Sequence, residues 1–188
     1  NDQNNRSFFK VLEQDPIKDH IKKVKEWAMK WFSRGQINEK WRDFVVNDNA
    51  TAAKNATLYK THKIGYPVRL STSGCNTAIE NLDRFIETTC TPLTENLLYC
   101  IKNTADSLDI IDTLNSQGIP PNARLVSLDI INMFPNIDNK NGIKAVERIL
   151  NTRTTLKPST ECIIEGLKIC LFNNNSVFEN VNLLQTNG

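Results

Sequence analysis

The sequence lacks any long hydrophobic run. No stretch approaches the roughly 18 apolar residues of a membrane span, and the longest apolar segments are short and interrupted. No basic segment followed by an apolar one opens the chain, so no secretion signal is legible. Cysteine is scarce and scattered: Cys75, Cys90, Cys100, Cys162 and Cys170 are odd in number and show no CxxC spacing. With only His20 and His62 beside them, no zinc site can be read, and isolated thiols suit a reducing compartment. The expected location is therefore inside the cell, with no membrane and no secretion. Two sequons, at Asn49-Ala50-Thr51 and Asn55-Ala56-Thr57, then have no context in which to be glycosylated. Net charge is nearly absent too, at +2 over 188 residues.

What is present is a globular composition, 39% hydrophobic and 23% charged, enough for a sizeable core. The small net charge hides an asymmetry. Residues 1–70 carry 14 Lys and Arg against 8 Asp and Glu, whereas residues 71–188 carry 9 against 13. Basic groups suit phosphates and acidic ones suit metal ions. Equally, Lys18, Lys22, Lys23, Lys25 and Lys30 would form the solvated face of one helix. The chain starts at Asn1 without Met and stops just after an apolar run, so both ends are expected to be cuts in a longer protein.

Asp15-Pro16 is a helix start, and Ile17, Ile21, Val24, Ala28 and Trp31 recur at spacings of three and four behind it. Gly35 stops that helix, and a second short one covers about 38–46. Residues 47–56 read as a loop and a domain boundary. Two short strands around Gly65, 58–61 and 67–71, make a hairpin. Helices follow over 77–89, with Pro92 as a breaker, and from a Thr104 cap to Gly118. Arg124 to Ile131 reads as a buried central strand, being nearly continuous in apolar residues. Helices opening at Asp138 or Asn139 and at Pro158-Ser159 come next, then a last hairpin over 177–179 and 182–184. This order predicts an α+β fold.

Asp129 interrupts the apolar run of the central strand. A lone carboxylate there is costly to desolvate without a partner, a hydrogen-bond network or a metal. At the end of a rigid strand it could hold Mg²⁺ with help from a neighbouring carbonyl; it could equally cap the following turn. The segment Leu125-Val126-Ser127-Leu128-Asp129-Ile130-Ile131-Asn132-Met133-Phe134-Pro135-Asn136-Ile137 resembles motif A of reverse transcriptases, those of Penelope-like retroelements above all. The resemblance implies that Asp129 binds both catalytic metals, that the Ile130 carbonyl assists, and that Phe134 lies under the incoming sugar as a steric gate. Read alone, Phe134 is a core aromatic.

Two further blocks carry the same resemblance. Tyr59-Lys60-Thr61-His62-Lys63 with Tyr66-Pro67-Val68-Arg69-Leu70-Ser71 is similar to the family's fingers hairpin, departing at Leu70, where many relatives carry Pro. It implies that Lys60, Lys63 and Arg69 contact the nucleotide triphosphate, an Arg fork giving bidentate phosphate bonds. Phe178 to Gly188, with Gln185-Thr186-Asn187-Gly188, resembles the approach to motif B and implies that Gln185 lies near the incoming nucleotide. The paired aspartates of the family's next motif do not follow within the sequence.

The resemblance therefore implies a partial right-hand polymerase, fingers and the first part of the palm, over 57–188, with a helical N-terminal extension over 1–56. The implied activity is RNA-directed DNA polymerisation, with two Mg²⁺ ions (Mn²⁺ as an alternative), an RNA template, a DNA primer and deoxynucleoside triphosphates. The chain alone is expected to be inactive and to fold poorly, because a sheet without its later strands exposes edges. Two other readings stand beside it. One is a non-catalytic nucleic-acid-binding relic. The other is a helical interaction domain, which expects Asp129 to be exposed and its substitution silent.

Overall fold

A computed structural model describes residues 9–62, 64–66, 68–94, 101–130, 133–155 and 157–186. The side chains of residues 69, 70, 134 and 135 fall outside that description. Lys63 and Cys100 do too, as do the side chains of Arg69 and Phe134.

The first long element, α1, runs Ile17–Ser33. Its opening follows from Asp15, whose Oδ1 accepts the Ile17 N–H at 3.0 Å. The buried face is His20, Val24, Trp27, Ala28 and Trp31, a spacing of three and four. Ile17 and Ile21, expected on that stripe, are only half-buried, because a 3.6-residue period turns them toward its rim. Past Ser33 the chain closes in a Schellman arrangement: Gly35 N–H reaches the Phe32 carbonyl at 2.8 Å and Gln36 N–H the Trp31 carbonyl at 2.9 Å. Gly35 takes φ +64°, which a side chain would resist.

A second helix, α2 (Glu39–Val45), starts at Asn38, whose side chain accepts from Trp41 N–H at 2.9 Å. Three later helices complete the packed layer: α3 (Glu80–Thr94), α6 (Asn139–Leu150) and α7 (Thr160–Phe172). The last two carry the Asp138 and Ser159 caps that their sequences announce. Pro92 lies inside α3 and does not break it. Standing two residues from the helix end, it forfeits a single backbone bond of the last turn. Their common core joins Val24, Trp27, Ala28, Trp31, Val45, Leu82, Phe85, Ile86, Leu150 and Ile163. Phe85 receives edge contacts from Trp27 at 5.4 Å and Trp41 at 5.0 Å.

Beside the helices lies a five-stranded mixed sheet: β1 (Phe9–Leu12), β2 (Ala53–Tyr59), β3 (Val68–Ser73), β4 (Asn175–Phe178) and β5 (Val181–Gln185), in the order β1-β5-β4-β2-β3. All neighbours are antiparallel except β2 and β4, which run parallel. The β4–β5 turn is Glu179-Asn180, both at positive φ, the two-residue type I′ geometry that matches strand twist. An α+β architecture is thus observed. The stretch expected as a loop up to residue 56 is a strand from Ala53 onward, because β3 and β4 supply partners on both sides. β2 therefore crosses the 56/57 position, and Val24, Trp27 and Trp31 share their core with Leu82 and Ile163. Among the described residues, no helix is long and apolar enough to cross a membrane.

Two elements stand outside this core. The helix α4 (Thr104–Gln117) is capped by Asn103 rather than by Thr104 and buries no residue. Leu108, Ile110, Ile111 and Leu114 on it are exposed. Arg124–Ile130 is not the buried strand that its composition suggests: it carries no regular secondary structure, pairs with no described strand, and is exposed, Leu128 at 92%. Apolar content drives a segment inward only where a ladder partner and a cover for both faces exist. A four-residue helix, α5 (Met133–Asn136), links it to α6.

Candidate functional site

Asp129 and Ile130 sit in that exposed segment, Ile130 at 66%. The exposure of Asp129 is what the interaction-domain reading expects. Among the described residues, no three His, Cys, Asp or Glu side chains gather to hold a metal ion. Two ions clamped in line need several carboxylates on ordered elements. Asp129 with the Ile130 carbonyl would supply only part of such a ligand set.

Lys60 directly follows β2, at the start of the loop to β3, and is half-buried. The Arg69 backbone lies opposite Leu58 in the same hairpin. Gln185 ends β5 opposite Phe9, and its Oε1 accepts from Asn174 Nδ2 at 3.2 Å. The register keeps these residues apart. Two strands separate β5 from β3, about 14 Å across the sheet at the usual strand spacing. Gln185 is level with Asn174 and Arg69 with Leu58, and the β2–β4 register puts roughly 20 Å between those levels along the strands.

The lysines of α1 do not form an open basic stripe. Lys22 faces Glu26 at 3.9 Å, Lys23 meets Asp19 at 2.6 Å, Lys25 meets Asp48 at 2.5 Å and Lys30 meets Glu165 at 2.6 Å. The bond to Lys23 is the first reason that the Asp19 carboxyl titrates below its ordinary range. Such exposed pairs add little stability, but they neutralise the charge that a phosphate would seek.

A different cluster escaped the sequence reading. Between the first turns of α1, the start of α3 and the 173–175 corner lies an open cleft of about 410 Å³. His20 and Asn175 line it, only 4% and 6% exposed. Burial is the main cause, with Lys23 second, that lowers the His20 pKa below 6.5; Asp19, the Asn175 side chain and Asp15 pull the other way. Asn175 Nδ2 is the one buried side-chain nitrogen or oxygen among the described residues that lacks a hydrogen bond. Leaving such a donor unmet costs on the order of 1–3 kcal/mol. Glu80 and Asp83 stand on the opposite wall. Desolvation, then the charge of Glu87, holds the Asp83 carboxyl above its ordinary value. The sequence signal was faint: Asn173-Asn174-Asn175 reads as a turn and His20 as one polar residue in a lysine-rich helix.

No protein-family model, curated protein or solved structure matches the chain.

Proposed function

We propose that this chain is the fingers and early-palm part of an RNA-directed DNA polymerase of the Penelope-like type. The support is the ordered series of three motif-like blocks, 57–71, 125–137 and 178–188. Their described residues belong to one sheet, the first block to the β2–β3 hairpin and the third to the β4–β5 hairpin. A hairpin with Lys60 directly after β2, at the start of the loop to β3, is a suitable mount for a triphosphate-contacting cation. In this reading template and primer are held chiefly through phosphates. The test is primer extension on an RNA template by protein made from the complete natural open reading frame, beside Asp129→Ala. Extension that falls to background in the variant supports the reading. Extension unchanged by Asp129→Ala refutes it.

A second reading is a non-catalytic nucleic-acid-binding module. It asks only for a basic hairpin, which β2–β3 with Lys60 after β2 supplies, and makes no use of Asp129. It expects the same protein to retain RNA or DNA in a salt-dependent manner, to lose affinity on Lys60→Ala, and never to extend a primer.

A further inference from the structure

The cleft beside α1 carries features that neither reading uses. Its 173–175 wall is a run of three asparagines, and two are already engaged. Asn173 Oδ1 takes the Lys23 ammonium at 2.9 Å while its amide donates to the Ile169 carbonyl at 2.7 Å. Asn174 donates to Gln185. Asn175 keeps its N–H₂ unmet although the residue is almost wholly buried. Its side chain interacts with the His20 ring, while its amide nitrogen has no hydrogen-bond partner. Native structures seldom leave such a donor without a ligand or water.

We propose that this cleft binds an amino-bearing nucleobase, with the Asn175 amide N–H donating to a ring nitrogen or carbonyl of the base and Glu80 or Asp83 accepting from its exocyclic amine. The chemistry of the walls selects that class. Asp83 and Glu80 line the cleft and disfavour a phosphate or carboxylate ligand; Glu80 is partly met by the Asn76 N–H at 2.6 Å and by Arg84 at 3.8 Å, so Asp83 is the freer acceptor. A metal ion finds no group of three ligating side chains among the described residues. A purely apolar ligand would leave the Asn175 donor unmet. Ala78, Ile79 and Leu171 supply apolar surface against which the faces of a planar ring can rest. An uncharged His20, kept so mainly by burial, offers one donor and one acceptor nitrogen and adds no positive charge. A single water could meet Asn175, but about 410 Å³ is far more than the roughly 30 Å³ share of one water. The inference needs neither Asp129 nor a metal ion, so it stands or falls apart from the polymerase reading.

The experiment is a titration of the ¹⁵N-labelled chain with cytidine, adenosine, uridine and inorganic phosphate at millimolar concentrations, read at the Asn175 side-chain amide and the His20 ring. Cytidine or adenosine should shift both signals in a saturable way, and uridine and phosphate should do so weakly or not at all. Asn175→Asp replaces the donor with an acceptor of the same shape and should weaken nucleoside binding about tenfold or more. Ala78→Phe fills the cleft and should abolish it with Asn175 intact, which covers the case in which the first variant does not fold. No saturable shift with any nucleoside in the unaltered chain, with only a bound water at the Asn175 amide, overturns the proposal. So does nucleoside binding of equal strength in a folded Asn175→Asp variant, or a stronger response to phosphate than to cytidine.

Discussion

The indole N–H of Trp27 donates to the backbone carbonyl of Cys162 at 3.2 Å, joining α1 to α7 across the buried helical layer. The bond is possible because α7 carries Gly166 one turn further on. A Cβ at Gly166 would lie 2.9 Å from Ile86 Cδ1 and 3.3 Å from two atoms of the Trp27 ring. The Ile86 methyl can swing aside, but the large Trp27 ring, fully buried, cannot. Gly166→Ala gains about 1 kcal/mol of helix propensity and loses about 1–3 kcal/mol to overpacking, for a modest net loss. Gly166→Leu has no such offset and should cost about 3 kcal/mol or prevent folding. Denaturant unfolding of the two variants against the unaltered chain checks the order; Leu tolerated as well as Ala would contradict this packing.

His20 gives stability a pH dependence of known sign. Its folded pKa lies below the unfolded value of 6.5. Between the two values the unfolded chain binds more protons, so stability rises with pH there and falls as pH drops below about 6.5. The groups that act on it are Lys23, Asp19, Asp15 and Asn175. Melting temperatures measured from pH 7.5 to 5 should decline, and His20→Gln should flatten that decline. An unchanged slope would show that His20 is protonated without penalty in the fold.

Thiol reactivity should divide the cysteines by depth. Cys75 is exposed, Cys90 half-buried, and Cys162 and Cys170 buried. Desolvation raises the Cys90 thiol, pushes Cys162 up to about 12 and raises Cys170 further still. Only thiolate reacts readily. Site-resolved alkylation at neutral pH should label Cys75 first and Cys162 and Cys170 only with unfolding. Early labelling of Cys170 would place α7 elsewhere than in the core.

Asp129→Asn should leave the stability of this chain within about 0.5 kcal/mol, since Asp129 is exposed in an unpaired segment. A large loss of stability would mean that the segment is docked in solution. Measured beside primer extension by the complete protein, the same substitution separates a chemical role from a structural one.

Much of the helical layer was legible in the sequence because its signals are local. The Asp15 bond to the Ile17 N–H just before α1 (whose N-cap is Pro16), the caps at Asp138 and Ser159, the stop at Gly35 and the three-and-four spacing of apolar residues each act within a few residues. The two hairpins were legible for the same reason. The α+β class followed from the order of those elements.

Tertiary structure alone decided the rest. Whether Arg124–Ile130 is a strand depends on a partner ladder, which apolar composition cannot supply, and the described residues offer none. That β2 reaches back to Ala53 depends on β4, more than a hundred residues away. The lysines of α1 were visible as a basic run, yet Lys22, Lys23, Lys25 and Lys30 each meet an acid, one as remote as Glu165. The cleft of His20 and Asn175 is likewise a product of long-range packing, because burial and an unmet donor are properties of a neighbourhood and not of a residue type. The sequence by itself determined which segments could be helix or hairpin and which residues resemble a polymerase motif. The packing of distant elements determined which side chains are buried, paired or left open to a ligand.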